Sequence, residues 1–355
     1  EPSPSCRLGR VPYLLDFYEN GEVDPLVIIK EYKTYQAFLE TVEKELYTGR
    51  LNEQEKTTLE YLSKTILSGA RPFELEILRQ LMKKPSISIN EIREIFIKRY
   101  DYEVNTQSLD NAAGVLQGKF VSKYKRFCRI DILEEDSNNI FHRMNNFTTR
   151  LQNEEFKKQI DDIIEVGLKR YHDKYQSSLK NDSPFVLYEK YSRRDVSLLM
   201  NCGRDLSSTM YGMKRIDDDV FIFVTYHKEE STDEQKNYVD GKPDYADAFE
   251  DNMIFRWDSQ IGRGVDSSYV SDVVNTKRKH LLVKKSDAES NFYYMGEFDI
   301  VDVCAARKRD NNGKERDITK FEMKMHHPVR EDLLRYLQSN LQQSIQNNTQ
   351  ELKAI

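Results

Sequence analysis

The tetrapeptide Asn181-Asp-Ser-Pro184 divides the chain into two textures. Before it, apolar residues recur at helical spacing. After it, they come in short runs rich in β-branched and aromatic side chains, separated by turns. Pro184 removes a backbone donor and disfavours helical geometry at the residue before it, so a helix should not cross this point. A chain of 355 residues that changes period here should form two or three compact units of different class.

The first texture is helical. Tyr35–Tyr47 carries Phe38, Val42 and Leu46 at steps of four, and Glu53–Ser68 repeats the pattern through Leu59, Leu62 and Leu67. Gly49 and Gly69 punctuate the ends. Glu74–Lys84 is a third helix, with Leu75, Leu78, Leu81 and Met82 inward, closed by Pro85. A further helix follows over Ser88–Arg99, with Asn90 as a candidate cap. Another runs from Asn105 to Lys119, with Leu109, Ala112, Ala113 and Leu116 inward. Two β-like pieces, Tyr124–Leu133 and Ile140–Met144, flank the turn-like Glu135-Asp-Ser-Asn-Asn139. Three helices and a hairpin over about 71–150 is the winged-helix order. Lys119, Lys123, Lys125 and Arg126 form a basic run there without an intervening acid. It could meet backbone phosphates, dock a protein partner, or simply face solvent. Glu154–Leu179 reads as a charged bridging helix with Ile160, Ile163, Ile164 and Leu168 as its apolar stripe.

The second texture is β-rich from 184 to about 330. Strands are predicted over 220–226, 253–257, 280–284, 292–295, 298–304 and 319–325, with one helix at Arg193–Met200. Residues 331–355 read as a C-terminal helix with a Gln/Asn-rich tail. The expected class is therefore α+β: a helical coupler over 1–180, then a β-rich domain over 184–330.

Composition excludes several classes. With 38% hydrophobic residues the chain can build cores, and a 32% charged fraction favours solubility. No apolar run approaches the ~20 residues of a spanning helix, and no signal peptide opens the chain. The opening Glu1-Pro-Ser-Pro-Ser5 lacks a methionine and reads as a boundary within a longer protein. Cys6, Cys128, Cys202 and Cys304 lie far apart, which argues against zinc and fits a reducing cytoplasm. The net charge of -6 argues against a generic DNA coat but leaves room for a local basic face.

The catalytic inventory is thin. There is no phosphate-binding G-x-x-x-x-G-K-[ST] loop and no H-x-K nuclease motif. The stretch from Asp258 to Gly264 echoes an arginine-bearing helicase motif but lacks its second arginine. The acids at Asp217–Asp219 and Asp299/Asp302 could hold a metal in principle, and Pro243-Asp244 or Glu322-Met-Lys324 could belong to a nuclease signature. Their spacing does not complete one. The chain is expected to be non-catalytic, with no cofactor or metal of its own.

The stretch Asn252-Met-Ile-Phe-Arg-Trp-Asp-Ser-Gln260 holds Trp257, the only tryptophan. In a strand, Phe255 and Trp257 would share one face, with Ser259 and Gln260 just beyond. Such a stripe is either core or an aromatic wall for a planar ligand such as a nucleobase. Around it, in order, stand Thr209-Met-Tyr-Gly212, Val220-Phe-Ile-Phe-Val-Thr-Tyr-His-Lys228, His280-Leu-Leu-Val-Lys-Lys-Ser-Asp-Ala-Glu289 and Phe292-Tyr-Tyr-Met-Gly-Glu297. This series, over about 185–305, resembles the C-terminal region of SauUSI-like, ATP-dependent type IV restriction enzymes. Those enzymes join a phospholipase-D-like nuclease to a superfamily 2 helicase and cut modified-cytosine DNA. The segment from Leu8 to Phe17, with Val23-Asp-Pro25, resembles the start of the same region.

The resemblance implies a coupler followed by a target-recognition domain like the SET-and-RING-associated (SRA) domains, which flip a modified base from the duplex. It implies duplex DNA carrying 5-methylcytosine or 5-hydroxymethylcytosine as partner, with helicase and nuclease domains of the same parent chain. ATP and Mg would serve only that helicase. A base pocket needs aromatic faces, an acceptor for the cytosine amino group and a niche for a methyl. The candidates are Tyr211, Tyr226, Phe255, Trp257, Asp258, Ser259, Gln260, Asp287 and Glu289. Candidates for the DNA backbone are Lys119, Lys123, Lys125, Arg126, Arg263, Lys277, Arg278, Lys279, Lys284 and Lys285. The rival reading is a protein-interaction module that docks on a helicase and reads no base.

Overall fold

A computed structural model describes residues 13–20, 23–42, 44–122, 130–180, 183–227, 247–310 and 312–339, with the backbone of 238–239 and 242–243. Two compact units result. One comprises residues 1–186 and 194–207, the other 187–193 and 208–355.

The first unit is mostly helical. Helices α1 (Leu14–Asn20), α2 (Pro25–Tyr32), α3 (Tyr35–Val42), α4 (Lys44–Tyr47) and α5 (Glu53–Thr65) lead into α6 (Phe73–Lys83). Short strand β1 (Ser86–Ser88) precedes α7 (Ile89–Tyr100) and α8 (Thr106–Leu116), and β2 (Leu133–Glu135) and β3 (Ile140–Arg143) follow. The three strands pair antiparallel in the order β1-β3-β2. Three helices with a strand after the first and a hairpin after the third is winged-helix topology. Strand β1 is too short for a periodic pattern to announce it. The α7 cap is Ser88, not Asn90: its hydroxyl accepts from the Glu91 amide, and Glu91 reaches back to the Ser88 amide.

After α9 (Asn145–Arg150), helix α10 (Glu154–Arg170) buries Phe156, Ile160, Ile163, Ile164 and Val166. It then loosens into a π turn (Tyr171–Tyr175) and a 3-10 turn (Gln176–Lys180), where the sequence predicted unbroken helix. The chain approaches itself closely at Gly69. A Cβ there would stand 2.2 Å from the Gly167 carbonyl oxygen, and its φ is +67°, so only glycine fits.

One polar hub gathers the winged-helix region. Arg71, buried at 5% exposure, pairs with Glu74 through Nε, 3.0 Å from Oε1 and 3.1 Å from Oε2. Its terminal nitrogens donate to the Leu198 carbonyl, to Asn201 Oδ1 at 2.8 Å and to Asn111 Oδ1 at 2.6 Å. Asn111 in turn donates to the Cys202 carbonyl at 2.8 Å, and Asn201 donates to the Ser108 hydroxyl at 3.3 Å. Ser108 and Asn111 of α8 are thus engaged by Asn201 and Cys202, while Thr106, Gln107 and Asp110 stay exposed. The helix carries Asp110 and no Lys or Arg.

The second unit is built on an eight-stranded sheet. Strands β4 (Lys190–Tyr191), β5 (Met213–Ile216), β6 (Asp219–His227), β9 (Ala248–Phe249), β10 (Ile254–Asp258), β11 (Arg278–Ser286), β12 (Phe292–Arg309) and β13 (Glu315–Met325) run in the order β5-β6-β11-β12-β13-β10-β9, with β4 beside β12. Among the described strands only β6 and β11 pair in parallel. A small hairpin of β7 (Tyr238–Val239) and β8 (Lys242–Pro243) stands apart. Between β3 and β13 the chain also forms α11 (Arg193–Leu199) and α12 (Ser268–Asn275), and α13 (Glu331–Gln338) follows β13. Two predicted strands, 292–295 and 298–304, are one strand of 18 residues. It crosses Gly296, at φ +102°, and changes partner there from β11 to β13. One sheet face, with Val220, Ile222, Val224, Leu281, Val283, Phe298, Phe321 and Met323, packs with Leu333 and Leu337 of α13 into a core.

Removing the Arg71 side chain leaves the Glu74 carboxylate buried and unanswered. Arg71→Ala should destabilise the first unit by about 3–5 kcal/mol, read by denaturant titration. A loss below about 1 kcal/mol would show that the hub is dispensable.

Candidate nucleic-acid interface

The side chains of the second unit sort onto two sheet faces, because strand residues alternate and paired residues share a face. Tyr226, Phe255 and Trp257 lie on the core face. Phe255 is 0% exposed and meets Phe249 edge-on at 4.7 Å. Trp257, 3% exposed, sits opposite Phe321 on β13 and lies between the Phe321 and Tyr269 rings at 5.1 and 6.2 Å. No face of the indole is left for a base. The aromatic stripe of β10 is core, which corrects the base-wall expectation for Tyr226, Phe255 and Trp257.

The other face carries aligned rows across β6 and β11: Asp219 beside Arg278 and His280, Phe221 on His280, Phe223 near Leu282, and Thr225 beside Lys284. Phe292 and Tyr294 of β12 extend it. At one end lies a buried polar chain. Tyr294 OH is 3.0 Å from His280 Nδ1, His280 Nε2 is 2.7 Å from Asp219 Oδ1, and Arg278 donates to Asp219 Oδ2 at 2.6 Å. Phe221 stacks on the imidazole at 4.7 Å. Burial alone would raise the Asp219 carboxyl, but the hydrogen bonds from His280 and Arg278 overcome it and hold it below its ordinary value. Arg278 pairs with Asp219 through one nitrogen and keeps its side chain 43% exposed.

The other end is cationic and aromatic. The Arg193 guanidinium lies 5.1 Å from the Tyr211 ring, 5.0 Å from Phe292 and 5.6 Å from Phe223. Burial pulls Arg193 down from its ordinary value. Tyr211 remains 61% exposed. Lys284 Nζ lies 5.4 Å from the Phe292 ring, donates to the Glu289 carbonyl at 3.0 Å and pairs with Asp287 at 3.3 Å. Aromatic rings held against cations, with one ring open to solvent, suit stacking of a planar group that carries negative charge.

Gln260 and Arg263 belong to a loop beside this end. Gln260 Nε2 donates to the Tyr211 carbonyl at 2.9 Å, and the Arg263 guanidinium lies 5.4 Å from the Tyr269 ring. Gly212, at φ +71°, permits the approach, since a Cβ there would stand 3.1 Å from Gln260 Nε2. Tyr211, Gln260, Arg263 and Asp287 thus remain as surface candidates, and half-buried Arg193 joins them; Lys284, 8% exposed, is buried and is not a backbone contact. The signal of Arg193, the first of two arginines opening a helix, gave no hint that three rings would surround it.

The remaining candidates are placed otherwise. Ser259 braces a turn, donating to the Arg263 carbonyl at 2.8 Å and accepting from the Thr319 amide at 2.9 Å. The Asp258 amide donates to Asp247 Oδ1 at 3.0 Å, and its carboxylate is half-buried. Glu289 is half-buried and held by three donors: it pairs with Lys190 at 3.0 Å and accepts from Tyr336 OH at 3.0 Å and the Lys285 amide at 2.7 Å. Lys285, 2% exposed, donates to Ser339 Oγ at 2.7 Å and is not a backbone contact. Lys279 donates to the Thr276 carbonyl at 2.7 Å, whereas Lys277 and Lys119 are exposed. Lys123, Lys125 and Arg126 lie outside the described residues. Among the described residues no group of three His, Cys, Asp or Glu could hold a metal ion, and no helix is long and apolar enough to cross a membrane.

Residues 5–175 match a family model described as a domain of unknown function, DUF8090, and residues 185–337 match a second, DUF3427. No curated protein matches the chain. Among solved structures it is similar to KRYPTONITE in complex with mCHG DNA and SAH, at 10% identity and TM-score 0.26, over 42% of this chain and 34% of that one. A second KRYPTONITE complex, with mCHH DNA, an H3(1-15) peptide and SAH, gives 10% identity and TM-score 0.27 over 45% and 35%. Arabidopsis thaliana SUVH6 in complex with SAM gives 10% identity and TM-score 0.29 over 76% and 40%. The chain spans between a third and two fifths of the length of those chains.

Two outcomes follow from the two faces. Trp257→Ala should cost about 3–5 kcal/mol of stability, measured by denaturant unfolding; a fully stable variant would remove Trp257 from the core. The depressed Asp219 carboxyl stabilises the native state above its unfolded value, and that contribution fades as pH falls through the folded value. Stability of the second unit should therefore drop below about pH 4, and Asp219→Asn should flatten that drop. An unchanged acid profile in the variant would assign it to other carboxylates.

Proposed function

We propose that the chain is the target-recognition region of an ATP-dependent type IV restriction enzyme. In this reading the second unit is an SRA-like domain that reads 5-methylcytosine or 5-hydroxymethylcytosine in duplex DNA by flipping the base. Helicase and nuclease domains of the same parent chain act on that recognition. The region itself neither hydrolyses ATP nor cuts DNA.

One observation carries the site: the exposed Tyr211 ring held against Arg193, next to Phe292, Lys284 and the Gln260 loop. A flipped base needs a face to stack on, and Tyr211 has one. It needs donors and acceptors at its edge, which Gln260 and Asp287 supply from exposed positions. The displaced backbone needs positive charge, which Arg193 and Arg263 supply. The ordered motifs over 185–305 support the same assignment.

The first unit takes the rival role in part. Helix α8 holds the place of the helix that enters the major groove in DNA-reading winged helices, but its Ser108 and Asn111 are engaged by Asn201 and Cys202, and it carries Asp110 with no basic side chain. This favours docking on a protein partner for the first unit and base reading for the second.

The test compares matched methylated and unmethylated duplexes. Wild type should prefer the methylated one. Tyr211→Ala should weaken methylated binding about tenfold, since a stacked base is worth about 1–3 kcal/mol per aromatic partner. It should leave unmethylated binding and the melting temperature nearly unchanged, because the ring is exposed. A wild type without preference would dismiss base reading; a Tyr211→Ala protein that keeps full preference would move the pocket elsewhere.

A further inference from the structure

Strands β12 and β13 run on together past the core as a two-stranded ribbon. Their register pairs Arg307 with Asp317, Lys308 with Arg316, and Arg309 with Glu315. Residues 307–309 and 312–317 are exposed and Asp310 is half-buried, so both ribbon faces are open from Arg307 to the turn. A ribbon that served only the core would end where the core ends.

The two faces of this arm differ in charge. Directly opposed residues share a face and neighbours alternate. One face carries Arg307 with Asp317 and Arg309 with Glu315. Its charges balance, and Arg307 answers both acids: its Nε lies 3.4 Å from Asp317 and its guanidinium 3.7 Å from Glu315, while Arg309 forms no ion pair among the described residues. The other face sets Lys308 directly across from Arg316, a like-charge pair that destabilises a sheet. Asp310 answers Arg316 at 3.0 Å. Lys308, and Lys314 in the turn, form no ion pair among the described residues. An anion from outside would relieve what the arm does not relieve itself.

The arm also continues from the proposed reading surface. The Ser259 amide donates to the Thr319 carbonyl at 2.8 Å, and the Gly262 amide donates to the Asp317 carbonyl at 2.9 Å. The loop bearing Gln260 and Arg263 therefore rides on the root of the ribbon. A two-stranded ribbon fits the major groove of B-form DNA, about 12 Å wide.

We propose that the β12–β13 arm lies along a groove of duplex DNA, with its Lys308, Lys314 and Arg316 face against the phosphates. This rests on the reading of the second unit as a DNA binder and adds a sequence-independent grip to it. The arm strengthens binding to modified and unmodified duplex alike.

The experiment uses the full chain and plain and methylated duplexes over a salt series. K308E/K314E should lower affinity for both duplexes on the order of tenfold. It should also reduce the salt slope by about two, since each lost phosphate contact removes nearly one counterion. The preference for methylated DNA should survive. K83E/K98E, on exposed lysines of the first unit, makes the same change in net charge and should have a much smaller effect. Equal losses in the two variants would reduce the arm to part of the general field and overturn the proposal. So would unchanged binding by K308E/K314E, which would leave the arm facing an acidic protein instead. In both cases a wild-type preference for methylated duplex would leave base reading standing. A wild type that binds no duplex would overturn both.

Discussion

The second unit depends on one strand that changes partners. Up to Glu297, β12 pairs with β11; from Phe298 onward it pairs with β13. The change is made at Gly296, whose φ of +102° is closed to other residues and whose Cβ would stand 2.9 Å from Leu187. Irregular register at Leu281/Leu282 and at Ile300/Asp302 absorbs the change on either side. The consequences run in both directions. The first half of the strand supplies Phe292 to the Arg193 cradle. The second half supports β13, which holds Phe321 against Trp257.

Much of the helical half was legible in the sequence. The periods of Glu53–Thr65, Phe73–Lys83 and Thr106–Leu116 are long enough to outvote local noise. Asn105 declares its helix by capping it. The cap of α7 was misassigned because Ser88 and Asn90 are both good caps, and only Glu91, three residues after Ser88, separates them. The loosening of α10 after Arg170 had no local signal. Its stripe continues past the point where the backbone changes hydrogen-bond partners.

The site was harder to read, for a physical reason. Strand β6 is buried on both faces, as central strands of a parallel pair are, so alternation cannot say which residues face a core and which a ligand. The rarest residue drew attention to β10, yet a lone tryptophan is also the largest piece with which to fill a core. Tyr211 lies in a turn beside Gly212, where no periodicity operates. Arg193 acquires its neighbours from three separate segments, at Tyr211, Phe223 and Phe292. Such convergence is invisible until the chain is folded.

The Arg71 hub sets an order of events on the ribosome. Arg71 reaches the Leu198 carbonyl across 127 positions and Asn201 across 130. Ser68 likewise donates to Asp195 at 2.7 Å. The helical unit cannot complete its polar interior until residues 194–207 have emerged, although the texture of the sequence changes earlier, at Pro184. A nascent chain released there would hold Glu74 and Arg71 as a buried pair with the arginine's Nη1 donors unanswered. Contacts of such long range are made late, after the entropy of closing the loop has been met. The visible seam in the sequence is therefore a poor place to cut: a shortened protein ending near it would carry a first unit missing its last structural piece.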